Sequence, residues 1–438
     1  MASIRTAVGL FACAVAAAPC LVFGGSTVNA DPIAASSVRA NGSCVVQDDA
    51  HLRAVSTETP EGYPSHEAWV ANDAAQQEVA AINRTVSATF GDPESVSAEH
   101  QLARGLIGST IENTTRQYVV VVDPTLVDRI ALQNRLTNTK LAVSVRAGCF
   151  PARELLRARS VLASQAWHPK AAAATYTYYL DAHNSTYRVS FAGHEREVGT
   201  ALKEALGSLV TVEFGNRPTS AGQNILAGGR FNDAAPHYGG AQITPQLPGT
   251  GLLCTAGFTV VFSDGRPGSV TAGHCADNFV SYVSGANPYG FTEGRLRNSS
   301  QDMVRLYTLF QTYDHFIHTD PGAPVQRNVT GKANPVLNSS VCVSGSVTGA
   351  RCSLTVTSLN GGTACGDGIC TNGLFVASRP GNVICQPGDS GAPFYTQAAN
   401  NGATIRGMLI GATPSSDTCL GHRVSQVESG LGVTVSTG

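Results

Sequence analysis

The amino-acid sequence predicts an all-β C-terminal domain preceded by an α+β module, and two textures along the chain carry that reading. Beyond residue 224, short apolar stretches alternate with Gly, Pro, Asn and Ser, and helical periodicity almost vanishes. Upstream, from about Asp48 to Leu206, helical stretches are interrupted by short strands. Between the two lie residues 215–222 (GNRPTSAG), a Pro/Gly/Ser-rich connector with the composition of an exposed, cleavable linker.

Taken in order, the chain opens with a positive Arg5 and an apolar run from Ala7 to Phe23. Small residues at Val28, Asn29 and Ala30 then precede Asp31, the pattern of an export signal over residues 1–30. A membrane anchor is the alternative reading. No second apolar run approaches the ~18 residues of a spanning helix, so no membrane contact is expected after signal removal. Ser65 to Val86 and Ala152 to Gln165 read as helices; Tyr118 to Val122 and Leu141 to Val145 read as strands. Tyr176 to Leu180 and Tyr187 to Phe191 flank the polar turn Asp181 to Ser185, and a helix from His194 to Leu206 leads to a strand from Leu209 to Phe214. Strand, turn, strand, helix, strand is a small α+β unit. After the linker the expected strands are Phe258–Phe262, Gly268–Thr271, Asn278–Val283, Met303–Leu306, Leu354–Ser358, Thr404–Ile410 and Gly432–Ser436.

Composition narrows the function. Charged residues make up 14% of 438, and the net charge is −2. A nucleic-acid partner, which needs a basic face, is excluded. Twelve cysteines are present; Cys13 and Cys20 leave with the signal, Cys44 and Cys149 lie in the first half, and eight lie between Cys254 and Cys419. Even counts in an exported chain favour disulfides. The spacing of Cys365 and Cys370 suits no zinc site, so neither metal nor cofactor is expected.

Two segments carry chemistry. Residues 386–393 (QPGDSGAP) expose Ser390. Gly388 permits a sharp turn in which its own N–H and that of Ser390 face one hole for a developing oxyanion. Gly391 and Ala392 leave room for a substrate backbone. Alone, such a segment is also an ordinary Gly-Asp-Ser turn. Residues 270–275 (VTAGHC) place His274 at the end of an apolar strand, where Gly273 allows a turn and the histidine is suited to general-base work.

Together, TAGHC and GDSGAP, 116 residues apart from His274 to Ser390, resemble the chymotrypsin-like serine peptidases. More narrowly the chain resembles the bacterial streptogrisin and alpha-lytic endopeptidase group. Residues 253–258 (LCTAGF), 341–346 (VCVSGS), Thr348, Gly349 and Cys352 carry that likeness, which covers roughly Ile225 to Gly438. Residues upstream, chiefly Tyr179 to Gly215, resemble the same group's pro-region. The resemblance implies two six-stranded antiparallel β-barrels over residues 225–438, an α+β pro-region over 31–224 acting as chaperone and inhibitor, and a secreted, extracellular, monomeric endopeptidase made as a zymogen. Its partners would be protein and peptide substrates and its own pro-region. An inactive homologue serving as an extracellular binding module is the alternative.

The triad acid is expected at Asp302, which opens a strand 28 residues after His274; Asp314 is the rival, with neighbours that read as a loop, and Asp277 lies too near His274 in sequence. Resemblance pairs Cys254 with Cys275, Cys342 with Cys352 and Cys385 with Cys419, which leaves Cys365 with Cys370 as an insertion. The chain departs from the group at Val343, where an arginine would pair the aspartate before the nucleophile. The partner of Asp389 is therefore open between Arg351 and a new α-amino group at Ile225. Ile384, near where tryptic enzymes hold an acidic pocket base, disfavours Lys/Arg preference.

Overall fold

A computed structural model of the chain describes residues 53–54, 73–112, 117–137, 139, 141–215, 229–322 and 325–438. The export signal read at 1–30, Cys13, Cys20, Cys44, the connector beyond Gly215 and the start read at Ile225 lie outside the described residues. Among the described residues, no helix is long and apolar enough to cross a membrane.

The upstream module has two cores. In the first, a four-stranded sheet ordered Arg53–Ala54, Val143–Ala147, Gln117–Val122, Leu106–Glu112 packs with the helix Asp73–Phe90. Val79, Ile82, Val86 and Phe90 recur at helical spacing and are buried with Tyr118, Val120 and Val122. The second core is the expected strand, turn, strand, helix, strand unit. Tyr176–Asp181 and Thr186–Ala192 pair antiparallel, and Thr186–Ala192 pairs parallel with Val210–Gly215 across the helix Arg196–Leu206. Val198, Leu202 and Leu206, four residues apart, form the buried stripe of that helix. Its hairpin turn is closed by Asp181, whose carboxylate accepts from the His183 N–H at 2.9 Å and the Asn184 amide at 2.8 Å.

Downstream, two β lobes follow. The first is an eight-stranded antiparallel sheet ordered Cys254–Thr255, Gln242–Pro245, Ser281–Ser284, Asn287–Arg297, Asp302–Tyr307, Pro267–Thr271, Thr259–Phe262, Val433–Val435. It remains open at both ends. The second closes: Ser340–Gly345 pairs Gly349–Gly366, and Ile369–Ser378, Thr418–Arg423, Gly402–Ala412 and Pro393–Gln397 complete the circuit back to Ser340–Gly345. This six-stranded barrel surrounds Val341, Val343, Leu354, Val356, Phe375, Ile384, Phe394 and Leu409. The domain is β-rich and chymotrypsin-like, as the sequence predicts, but only one lobe is a closed six-stranded barrel; the other, expected as a second such barrel, is an open eight-stranded sheet.

Three elements differ from that expectation. A helix, Val424–Leu431, sits where only strands are expected; Val424, Val427 and Leu431 bury one side of it in the core to which both lobes contribute. Tyr313–His318, read as a loop, is a strand held between His237–Gly239 and Gln326–Lys332. Its polar residues hide it because neither face is uniformly apolar. Finally, Gly349–Gly366 is far longer than the Leu354–Ser358 core read from sequence. Its extension carries the tip disulfide Cys365–Cys370 and pairs with the upstream module, Thr363 opposite Tyr178 and Cys365 opposite Tyr176.

Candidate active site

The strand Pro267–Thr271 pairs with Asp302–Tyr307, Thr271 opposite Val304, so the strand that leads into His274 lies beside the strand that Asp302 opens. The disulfide Cys254–Cys275 ties the residue after His274 to a strand at the rim of the same sheet. His274 Nδ1 lies 2.7 Å from Asp302 Oδ2, and Nε2 lies 2.8 Å from Ser390 Oγ. A carboxylate only accepts, so it holds the imidazole proton on Nδ1 and leaves a lone pair on Nε2 facing the Ser390 hydroxyl. A serine so placed can give its proton to the ring as it attacks a carbonyl. Burial pushes the Asp302 carboxyl up, but His274, with Arg297 and His422, outweighs it and holds the group below its ordinary value.

Behind Asp302 stands His422, fully buried, whose Nε2 accepts the Asp302 backbone N–H at 3.0 Å. That bond requires a neutral ring. Burial pushes the His422 pKa down to about 4, against the pull of Asp302 and Gln426.

The nucleophile turn is pinned on its far side. Asp389 is fully buried, and its carboxylate accepts from the N–H groups of Val347 (2.7 Å), Thr348 (3.2 Å) and Gln386 (2.8 Å) and from the Thr348 hydroxyl (2.8 Å). Burial nonetheless raises its pKa above the ordinary value. Among the described residues no cation pairs with it. Arg351 instead lies on the edge pairing with Val343, and the α-amino group suggested at Ile225 lies outside the described residues. Backbone N–H groups, which have no side-chain signature, do the work expected of a cation.

Gly388 has φ +98°, a region that favours glycine, and no acceptor takes its N–H or that of Ser390 among the described residues. The expected role of Gly391 changes. A Cβ there would lie 2.2 Å from the Thr255 carbonyl and from Thr271 Oγ1, so the missing side chain serves contact between the lobes rather than room for substrate. Ala392 is fully buried as well. The Thr255 N–H donates to the Ser390 carbonyl at 2.8 Å across the same contact.

The other expected residues fall as follows. Asp314 faces its neighbour His315, and Asp277 is largely exposed beside Arg295; neither approaches His274 as Asp302 does. The eight cysteines from Cys254 onward pair as Cys254–Cys275, Cys342–Cys352, Cys365–Cys370 and Cys385–Cys419. Ile384 packs in the barrel core, not in the cavity beside Ser390. Its N–H, like that of Cys385, donates to the Ser416 carbonyl, and Ser416 does line that cavity. His422, Thr255, Ser346 and Arg230 support the site without belonging to either motif; Thr255 and Ser346 lie inside stretches the sequence singles out, His422 and Arg230 do not.

Two β lobes that bring a serine, a histidine and an aspartate together at their junction define a serine-type endopeptidase of the chymotrypsin fold. No protein-family model matches the chain. Serine protease 2 of Streptomyces fradiae is 29% identical over 177 residues, 37% of this chain and 88% of that protein. Streptogrisin-D of Streptomyces griseus is 28% identical over 167 residues, 38% of this chain but 39% of its own length. Among solved structures, Nocardiopsis protease (NAPase) is 25% identical, with a TM-score of 0.38 over 46% of this chain and 98% of that one. Thermobifida fusca Protease A is 26% identical, with a TM-score of 0.38 and the same coverage. The chain is similar to these bacterial serine proteases over less than half of its length.

Proposed function

We propose that this chain is the exported zymogen of a serine endopeptidase in which Ser390 is the nucleophile, His274 the general base and acid, Asp302 the orienting carboxylate, and the N–H groups of Gly388 and Ser390 the oxyanion hole. The observation that carries this reading is the unbroken Asp302–His274–Ser390 hydrogen-bond chain at 2.7 and 2.8 Å. Ser390 Oγ attacks the scissile carbonyl carbon while its proton passes to His274 Nε2, and the carbonyl electron pair moves onto oxygen between the two N–H groups. Collapse re-forms the carbonyl, breaks the C–N bond, and the leaving amine takes the proton from His274. Water then repeats the sequence on the acyl-enzyme, releasing the acid and restoring Ser390.

The organisation proposed is a signal over 1–30, a pro-region over 31–224 and a peptidase domain over 225–438, secreted and monomeric after processing. Support for the pro-region comes from the pairing of Tyr176–Asp181 with Gly349–Gly366 and from Gly215, which packs on Pro414. Gly215 also lines a cavity of about 950 Å³ shared with His274 and Ser390. Preference for residues other than Lys or Arg rests on the acids around that cavity. Asp302 is bonded to His274, Asp320 to Arg230 and Asp367 to Arg297, so no carboxylate lining it among the described residues is free for a cationic side chain.

A fluorophosphonate probe tests the reading. Labelling of the secreted protein that disappears in Ser390→Ala is expected. Absence of labelling after cleavage near the linker would favour the inactive binding module instead.

A further inference from the structure

Asp389 has no cation partner among the described residues, so the nucleophile turn hangs on the chain between Ser344 and Thr348, whose N–H groups hold that carboxylate. Whatever holds residues 344–348 therefore holds the oxyanion groups. Two bonds converge on the same turn, one from the first lobe and one from residue 346 itself. The hydroxyls of Thr255 and Ser346 lie 2.9 and 3.2 Å from the Gly388 carbonyl oxygen, and the Ser346 N–H donates to Thr255 Oγ1 at 2.9 Å. Pinning that carbonyl fixes the peptide between Gly388 and Asp389, which sits between the two peptides whose N–H groups face the oxyanion. If it rotated, both donors would turn away.

The back of the 344–348 turn is gripped by Arg230. Its side chain is among the largest fully buried ones described, at 1% exposure. Nη1 donates to the Gly345 carbonyl, Nη2 to Ser344 Oγ and to the Asp320 carbonyl, both at 3.0 Å, and Nε to the Asp320 carboxylate at 2.9 and 3.0 Å. Gly345 in turn packs so closely on Asp389 that a Cβ would lie 2.1 Å from its Oδ1. One planar guanidinium thus meets a carboxylate, two carbonyls and a hydroxyl whose positions set the turn. A lysine ammonium, with three donors on one atom, cannot span them.

We infer that Arg230 is a positioning residue for the oxyanion-binding turn, acting through Gly345 and Ser344 on Asp389 and Gly388. The inference rests on the serine-peptidase reading of Ser390. The structural reason to separate it from general stability is direction: Nη1 and Nη2 of Arg230 reach Gly345 and Ser344, on the chain that carries the Asp389 donors; its remaining bonds hold Asp320, a residue of the cavity lining, and KM reads that second effect.

The test uses protein produced from the full chain. Labelling of wild type but not of Ser390→Ala first establishes the reading of the site; if wild type does not label, that reading and this inference fall together. With labelling established, Arg230→Met, Arg230→Lys and Ser346→Ala are compared for kcat, KM and affinity for a peptide aldehyde, whose adduct places an oxyanion in the hole. In Arg230→Met, kcat and aldehyde affinity are expected to fall together by roughly 10- to 100-fold while KM changes less than about threefold; Arg230→Lys recovers only part. A folded Arg230→Met with kcat and aldehyde affinity within about twofold of wild type overturns the inference. Should Arg230→Met not fold, Ser346→Ala decides: a parallel fall in kcat and aldehyde affinity supports the turn's role, and wild-type values for both overturn it.

Discussion

His422 makes the acid stability of this protein predictable. Its ring is fully buried and must be neutral to accept the Asp302 N–H at 3.0 Å. The folded pKa lies near 4 against an ordinary 6.5, because burial disfavours the cation more than Asp302 favours it. A base whose folded pKa is depressed contributes stability that is complete above pH 6.5 and lost as pH falls toward 4. A difference of roughly 2.5 units at ~1.4 kcal/mol per unit corresponds to about 3 kcal/mol across that window. His422→Gln keeps an amide oxygen for the Asp302 N–H and cannot titrate. Urea unfolding of the full chain on a Ser390→Ala background, followed by circular dichroism from pH 7 to pH 4, should show the His422→Gln variant losing about 3 kcal/mol less than its parent. Parallel curves for the two proteins would refute the reasoning. His422→Phe offers no acceptor, so it should cost about 1–3 kcal/mol at every pH and lower kcat by releasing Asp302.

Asp302→Asn should leave the unfolding midpoint nearly unchanged yet lower kcat by ~10⁴, because an amide that donates to Nδ1 selects the wrong imidazole tautomer; steady-state kinetics beside thermal melts separates the two effects. The raised pKa of Asp389 means that its contribution to stability is complete below about pH 3.8 and fades as pH rises through the higher folded value. Asp389→Asn should flatten that slope in a pH series of melts while leaving one of its four donors unpaired, at about 1–3 kcal/mol and with reduced kcat. Gly391→Ala should give no secreted active enzyme, since its Cβ would meet the Thr255 carbonyl at 2.2 Å, whereas Gly381→Ala, with positive φ but open space, should cost only about 1–2 kcal/mol. Secretion yield and melting temperature of the pair check this contrast.

The residues that the sequence singles out and the structure brings together are those for which chemistry demands a residue type at a fixed place in the chain. Ser390 and His274 stand out because a nucleophile turn needs Gly388 beside it, and an apolar strand ending in Gly273 delivers an imidazole to a rim. The upstream hairpin and helix are legible from the β-forming residues that flank the polar turn Asp181–Ser185 and from the four-residue spacing of Val198, Leu202 and Leu206. The strand Tyr313–His318 is not, because burial from two neighbours rather than its own pattern makes it a strand. Nor is the helix Val424–Leu431, whose eight residues give too few turns for a period to show.

By itself, then, the amino-acid order determined the lobe textures and the two motifs around Ser390 and His274, since each is written in local residue types. Only the tertiary structure decided what supports them. Three of the four groups that donate to Asp389 are backbone N–H groups, which every residue but proline possesses and no motif marks. His422 meets Asp302 across 120 residues, and Arg230 meets Gly345 across 115, through strand pairings that bring distant segments together. A contact of that kind is a property of register and burial, so it enters the chemistry only once the sheets have closed.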